Sequence, residues 1–286
     1  MYSSFEALRK AFVNHLLAVY DQREANTIFK EVVAVELGWD AAQFVLNKHE
    51  AVSEHITHRF KKVLDRLVLG EPIQYITGVT HFMGKDYVVN PYVLIPRPET
   101  AELIQWVLDD WSMNNASMSA IDIGSGSGII PIELALNRPR WTVTGTDVSE
   151  EALDVARKNA LNLGAKVHWL NQDILNPCLS DRYRIIISNP PYIPRAEAGR
   201  MSAQVVNHEP HLALFVDDDP LQFYAAVMQF AKEHLEDDGA LYFECHEDYA
   251  HDVEQLCLEM GWRTDLRTDL QDKPRMLRVV RVTGEE

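Results

Sequence analysis

The four residues Asn189-Pro190-Pro191-Tyr192 carry the most pointed chemistry in the chain. They follow Tyr183-Arg184-Ile185-Ile186-Ile187-Ser188, which reads as a buried strand. An amide, two prolines and an aromatic ring at the end of such a strand make a stiff, concave platform. Proline fixes φ and lacks a backbone N–H, so carbonyls there stay free to accept. The Asn189 side-chain oxygen is a further acceptor, and Tyr192 offers a flat face for stacking. Together they suit a planar –NH2 group, either an amide or the exocyclic amine of a base. A plain strand followed by a proline-rich turn would use the same residues.

A second group, Ile121-Asp122-Ile123-Gly124-Ser125-Gly126-Ser127-Gly128, follows a short apolar run and opens the apolar segment Ile129 to Leu136. Strand, Gly-rich turn and helix in this order bring a nucleotide-like cofactor against the backbone. Ile129 stands where a dinucleotide fingerprint has its third glycine, and no Gly-Lys-Ser/Thr follows, so the turn is neither that fingerprint nor a phosphate loop. Its Asp-x-Gly-x-Gly-x-Gly spacing resembles the first motif of the S-adenosylmethionine-dependent methyltransferases of Rossmann-like fold. The β-prone run Trp141 to Thr146 ends at Asp147. An acid at a strand end roughly 20 residues beyond the glycines is placed for ribose hydroxyls, or for capping the helix that starts at Ser149-Glu150-Glu151. A third strand, Lys166 to Leu170, runs into Asn171-Gln172-Asp173-Ile174. A polar and an apolar group there fit an adenine ring, and equally an ordinary loop.

Two further stretches, Gly70-Glu71-Pro72-Ile73-Gln74-Tyr75-Ile76-Thr77-Gly78 and Val93-Leu94-Ile95-Pro96-Arg97-Pro98-Glu99-Thr100, complete a set of motifs that resembles the HemK/PrmC family in content and order over nearly the whole chain. The resemblance implies a class I S-adenosylmethionine-dependent methyltransferase. Its substrate would be the side-chain amide nitrogen of the glutamine in the Gly-Gly-Gln motif of class-1 peptide chain release factors. It assigns the cofactor, S-adenosylmethionine, to Asp122, Gly124, Ser125, Gly126, Ser127, Gly128, Asp147, Asp173, Ile174 and Asn189. It makes Asn189, Pro190 and Tyr192 catalytic, and gives the substrate to Asn189, Pro190, Pro191, Tyr192, Arg97 and Glu99. Arg97 and Glu99 also fit a structural ion pair between linker and domain. Two stretches depart from the family pattern: Leu214 to Asp219, where a Gly-rich segment is usual after Glu209-Pro210, and Glu244-Cys245-His246 in place of Glu-Ile-Gly. An adenine-amino methyltransferase acting on DNA or RNA is the alternative, since the same platform can hold an exocyclic amine.

The rest of the chain frames these motifs. Residues 1–70 read as a helical bundle, with Phe5, Leu8, Phe12 and Leu16, then Ile56, Phe60, Val63, Leu64 and Leu67, at helical spacing. The resemblance makes this bundle a substrate-recognition domain. Residues 71–98 read as a β-hairpin linker that includes Tyr87-Val88-Val89 and Tyr92-Val93-Leu94-Ile95. From residue 99 to 286 strands and helices alternate, which predicts an α/β domain with a mostly parallel sheet. A net charge of −16 opposes non-specific binding to nucleic acid and fits a protein substrate better. The odd, scattered Cys178, Cys245 and Cys257 point to a reducing compartment, and no apolar run is long enough to span a bilayer. A cytoplasmic monomer is expected, without a membrane or a stable nucleic-acid partner. The histidine pairs His208/His211 and His246/His251 do not match a metal-binding spacing, so no metal is expected.

Overall fold

A computed structural model describes residues 2–112 and 116–282. Five helices come first: α1 (Phe5–Leu16), α2 (Gln22–Leu37), α3 (Ala41–Asn47), α4 (Glu54–Val68) and α5 (Ile73–Thr77). The hairpin β1 (Val79–Phe82) and β2 (Lys85–Val88) precedes α6 (Pro98–Asp110). Then follow β3 (Ser119–Ile123), α7 (Ile129–Asn137), β4 (Thr142–Asp147), α8 (Glu150–Leu163), β5 (His168–Asn171) and β6 (Tyr183–Ser188). After β7 (Ile193–Pro194) and a 3-10 turn come α9 (Ala203–His208), α10 (His211–Leu214) and β8 (Phe215–Val216). The chain ends with α11 (Gln222–His234), β9 (Leu235–Glu244), α12 (Ala250–Glu259), β10 (Trp262–Thr268) and β11 (Pro274–Arg281).

These elements form two compact units, residues 1–79 with 202–208, and residues 80–201 with 209–286. In the first unit, the apolar stripe of α1 meets α2 and α4. Phe12 lies edge-on to Phe29 and Phe60, with ring centroids 5.5 and 6.0 Å apart. Ser4, Asp21, Asp40 and Ser53 cap the starts of the first four helices, satisfying N–H groups that the helix itself cannot. The 3.6-residue period shows in α1, α2 and α4 because each of them buries one face.

In the second unit, a seven-stranded sheet runs in the order β10-β11-β9-β6-β3-β4-β5. β6, β3, β4, β5 and β9 are mutually parallel, and β11 runs antiparallel to both its neighbours. Alternate side chains face opposite layers. Ala120, Ile185, Ile187 and Tyr242 pack toward α6 and α7, whereas Ile121, Ile186, Leu241 and Phe243 pack toward α11 and α12. Such double-sided burial explains why Ile185-Ile186-Ile187 is an unbroken apolar run. Each buried Ile, Leu or Phe among them contributes about 1.5–3 kcal/mol of transfer free energy.

The segment between residues 71 and 98 differs from the expected hairpin linker. Ile73–Thr77 is helical, and β1 and β2 form the hairpin. From Thr80 the chain belongs to the second unit. The buried Glu133 of α7 receives the Tyr87 hydroxyl at 2.7 Å and the Lys85 ammonium at 2.9 Å. Tyr92 to Ile95, although β-prone, is not a strand, because the Ile95 N–H goes to the Glu209 carboxylate at 3.4 Å and not to a neighbouring strand. Among the described residues no helix is long and apolar enough to cross a membrane.

Asn159 of α8 ties this hairpin to the Gly-rich turn. Its Oδ1 accepts from Val88 N at 2.7 Å, and its Nδ2 donates to the carbonyls of Val88 and Ser127, each at 2.9 Å. The side chain is 1% exposed, so removing it strands three backbone groups away from water. Asn159→Ala should therefore lower stability by about 1–3 kcal/mol, measured as a shift of the urea midpoint. An unchanged midpoint would contradict this anchoring role.

Candidate active site

A cavity of about 310 Å³ opens at the carboxyl ends of β3, β4, β5 and β6. The chain runs from β3 outward to β4 and β5, then crosses back to β6 on the other side of β3. That reversal leaves a crevice between the loops after β3 and β6, the place where open α/β sheets hold ligands. Ile123 to Ser127, Asp147 to Ser149, Gln172 to Ile174 and Ser188 to Pro191 line it from the sheet. Tyr92 to Leu94, Pro96, Arg97 and Thr100, and Pro210 to Ala213, form further walls.

The loop after β3 is held by its own backbone. Gly124 N and Ser125 N both donate to Thr146 O, at 2.9 and 2.8 Å. Gly126 has φ +52 and donates its N–H to Asp147 Oδ2 at 2.8 Å, while Asp147 Oδ1 accepts from Ser149 N at 2.9 Å. One carboxylate thus fastens the Gly-rich turn to the start of α8. Gly128 has φ +82, and a Cβ there would lie 2.8 Å from the Trp169 ring and 2.9 Å from Ala156 Cβ. At Gly124 and Gly126 a Cβ would meet nothing within 4 Å, so a ligand can lie directly against the backbone.

Behind the lining sit acids in unusual surroundings. Asp122 is 0% exposed, and neither of its carboxylate oxygens has a full hydrogen bond among the described residues. Burial pushes its pKa up to about 7, the nearby Ser125 hydroxyl opposes this, and the Asp147 charge adds to it. Burial likewise raises the pKa of Asp147, against three backbone N–H groups that favour its charged form. Asp147 and Asp173 in the lining face a single guanidinium, Arg97, which is already paired with Glu209 at 2.7 Å. The excess of negative charge, the ribose-height acid and the open glycine backbone together suit S-adenosylmethionine, a cation with hydroxyls to bind.

Sequence comparison agrees with this geometry. Residues 104–214 match the model of the methyltransferase small domain, and residues 7–78 match that of the PrmC N-terminal domain. A release factor glutamine methyltransferase of Bacteroides thetaiotaomicron is 39% identical over 264 residues, which is 91% of this chain and 94% of that one. The chain belongs to the release factor glutamine methyltransferase family. Members from Flavobacterium psychrophilum and Bacillus subtilis are 34% and 32% identical, covering 95% and 97% of this chain and 97% of each relative. Among solved structures, a Pyrococcus furiosus methyltransferase superposes with a TM-score of 0.52 at 17% identity, over 77% of this chain and 98% of that one. The hMettl16 catalytic domain gives 0.55 at 17% identity, over 81% and 83%. These two likenesses establish a class I methyltransferase fold.

Within that family frame, the cavity brings together Gly124, Ser125, Gly126, Ser127, Asp147, Asp173, Ile174, Asn189, Pro190, Pro191 and Arg97. Asp122 and Gly128 lie beneath the loop and do not line the cavity. Asp173 also closes its own turn, with Oδ1 accepting from Leu175 N at 2.9 Å. Arg97 is the extended N-cap of α6, and its ion pair with Glu209 joins residues 71–98 to the α/β domain and ties together two walls of the cavity.

Two of the expected substrate residues lie outside the lining. Tyr192 does not line the cavity. Its ring packs on the core beneath α11, 5.3 Å from the His246 ring, and burial raises its hydroxyl pKa. The chain turns there into β7, which pairs with β8 and carries the ring away from the platform. Glu99 is also absent from the lining, and its charge acts on Glu244 instead. Sequence reasoning named Glu209 only within its Glu-Pro pair, without its partner Arg97, and missed the contacts of Thr100 and of Asn171, whose Nδ2 donates to the carbonyls of Asp147 and Val148 at 3.1 and 2.9 Å. All three act across long sequence separations. Among the described residues, no three His, Cys, Asp or Glu side chains gather as a metal ion would need.

The buried Asp122 makes stability depend on pH. Its pKa rises from 3.8 in the unfolded chain to about 7 in the fold, so between these values the folded state holds a proton that the unfolded chain has released. The stability this proton provides is complete below about pH 4 and is lost as pH rises through about 7. Asp122→Asn removes that dependence. Relative to wild type the variant should gain on the order of 1 kcal/mol or more between about pH 5 and 8, read by chemical denaturation at each pH. A difference that stays constant with pH would contradict the raised pKa.

Proposed function

We propose that this chain transfers the methyl group of S-adenosylmethionine to the side-chain amide nitrogen of the glutamine in the Gly-Gly-Gln motif of class-1 peptide chain release factors. The observation that carries the proposal is Asn189-Pro190 at the carboxyl end of β6, in the wall of a cavity whose other side is the Gly-rich turn. Identity of 39% to a release factor glutamine methyltransferase over 91% of the chain supports it. The acidic balance, net charge −16, weighs against a nucleic-acid substrate. Three free thiols fit work in the reducing cytoplasm, where release factors act.

Bound S-adenosylmethionine supplies an activated methyl group as a sulfonium. The protein's task lies with the acceptor. A glutamine amide nitrogen is a weak nucleophile, because its lone pair is delocalised into the carbonyl. Asn189 Oδ1 and the Pro190 carbonyl would accept its two hydrogens, holding the nitrogen in line and raising its electron density. Their attraction strengthens as positive charge grows on nitrogen, so it favours the transition state over the ground state. Methyl transfer would form the N–C bond, release the rest of the donor as the neutral thioether S-adenosylhomocysteine, and leave one amide proton to pass to solvent. Asp147 would bind ribose hydroxyls, with Asp173 and Ile174 beside the adenine. Tyr192 would support the platform from behind.

The test is methyl transfer from labelled cofactor to a class-1 release factor, its Gly-Gly-Gln Gln→Ala variant, duplex DNA and ribosomal RNA in parallel. Label on the unaltered factor alone is the expected result, and label on nucleic acid alone would overturn the proposal in favour of an adenine-amino methyltransferase. Asn189→Ala should lose about 10²-fold or more in kcat while still binding cofactor, as expected when a transition-state acceptor is removed. Near-normal turnover by that variant would refute the role of Asn189.

A further inference from the structure

Glu244, the last residue of β9, has no task in the transfer step. It is 3% exposed, and its Oε2 accepts from Thr100 Oγ1 at 2.7 Å. Thr100 and Asn189 line the cavity, and Glu244 does not. The register of the parallel strands explains the grouping: Ser188 of β6 pairs with Phe243 of β9, so Asn189 and Glu244 are the next residues on neighbouring strands. The Asn189 side-chain amide lies near enough to Glu244 to lower its pKa, as a hydrogen-bond donor would. An asparagine amide has a donor end and an acceptor end of almost the same shape, and only its partners choose between the two orientations. An ionised carboxylate can only accept.

We propose that Glu244 is a positioning residue: its carboxylate draws the Asn189 NH2 toward itself and so keeps Asn189 Oδ1 available to the cavity. The inference rests on Asn189 being the acceptor for the substrate amide. It also gives a reason for a buried acid at this place, since an apolar residue would leave the Asn189 amide free to turn.

Protonation reverses the instruction. A neutral Glu244 carries an O–H that can donate to Asn189 Oδ1 and occupy it. Burial pushes the Glu244 pKa up to about 7; Thr100, Arg275 and Asn189 oppose this, and Glu99 adds to it. Glu99 and Thr100 face it from α6, and Arg275 from β11. The Glu244 charge also acts on Tyr192 and Cys245, and the Tyr224 hydroxyl donates to the Glu244 backbone carbonyl at 3.1 Å. Glu244 is therefore a carboxylate above about pH 7 and an acid below it, so turnover should fall as pH drops through that value.

The test uses the full chain labelled with 15N-asparagine, with and without the substitution Glu244→Gln. That variant keeps the volume and can still meet Thr100, but it does not titrate. The Asn189 side-chain NH2 signal, identified by its loss in Asn189→Ala, is followed from about pH 5.5 to 8.5. In wild type it should shift with a midpoint near 7, and in the variant that shift should vanish. Asp122, which changes charge in the same range, is present in both proteins, so a titration that survives in the variant is not that of Glu244. In parallel, Glu244→Gln should lower kcat roughly tenfold at pH 8, change KM for the release factor less than about threefold, and flatten the pH dependence below 7. A pH-independent Asn189 signal in wild type, or an identical titration in the variant, would overturn the inference. Should wild type fail to methylate the release factor, the functional proposal fails, and the Asn189 signal still decides the role of Glu244.

Discussion

The parallel register of β3, β6 and β9 is the constraint on which the cavity depends. Ile123 pairs with Ser188, and Ser188 with Phe243. The Ser188 hydroxyl donates to the Ile123 carbonyl at 2.8 Å, closing the seam just where the strands end. The next residue on each strand is Gly124, Asn189 or Glu244. A glycine that admits a ligand, an amide that can hold another amide and an acid that can orient it therefore emerge side by side. A slip of one residue in β6 would turn Asn189 to the opposite face of the sheet and bury a polar group in a core.

The walls around this seam are held by groups distant in sequence. Arg97 and Glu209 join the segment before α6 to the segment before α10. Asn171 and Asp147 join the ends of β4 and β5 and fasten the Gly-rich turn. Asp122 and Glu244 are buried and Asp147 is half-buried, and all three acids have raised pKa values and cluster at one end of the sheet. Each costs stability to keep there, because desolvation disfavours its charge. Clustering of perturbed acids around a single cavity is a pattern that working sites show.

Much of this site was legible in the sequence, for a local reason. Asp122 to Gly128 and Ser188 to Pro191 are each a strand end and its loop, so adjacent residues stay adjacent in space. The doubly buried sheet was equally visible in the unbroken run Ile185 to Ile187. What sequence could not give was the direction a side chain takes once a loop turns. Tyr192 looks like part of the platform, yet where the chain enters β7 its ring packs against the core. Tyr92 to Ile95 has strand-like residues but finds a carboxylate and not a strand as its partner. Glu244 and Thr100 are 144 residues apart, and only the folded sheet brings them together behind Asn189.

The most direct test of the account is a crystal structure of the chain with S-adenosylhomocysteine and a Gly-Gly-Gln peptide. The account predicts the glutamine amide nitrogen hydrogen-bonded to Asn189 Oδ1 and the Pro190 carbonyl, facing the cofactor sulfur across the cavity, with the Asn189 NH2 turned toward Glu244. A glutamine bound elsewhere, or an Asn189 amide turned the other way in the complex, would contradict it.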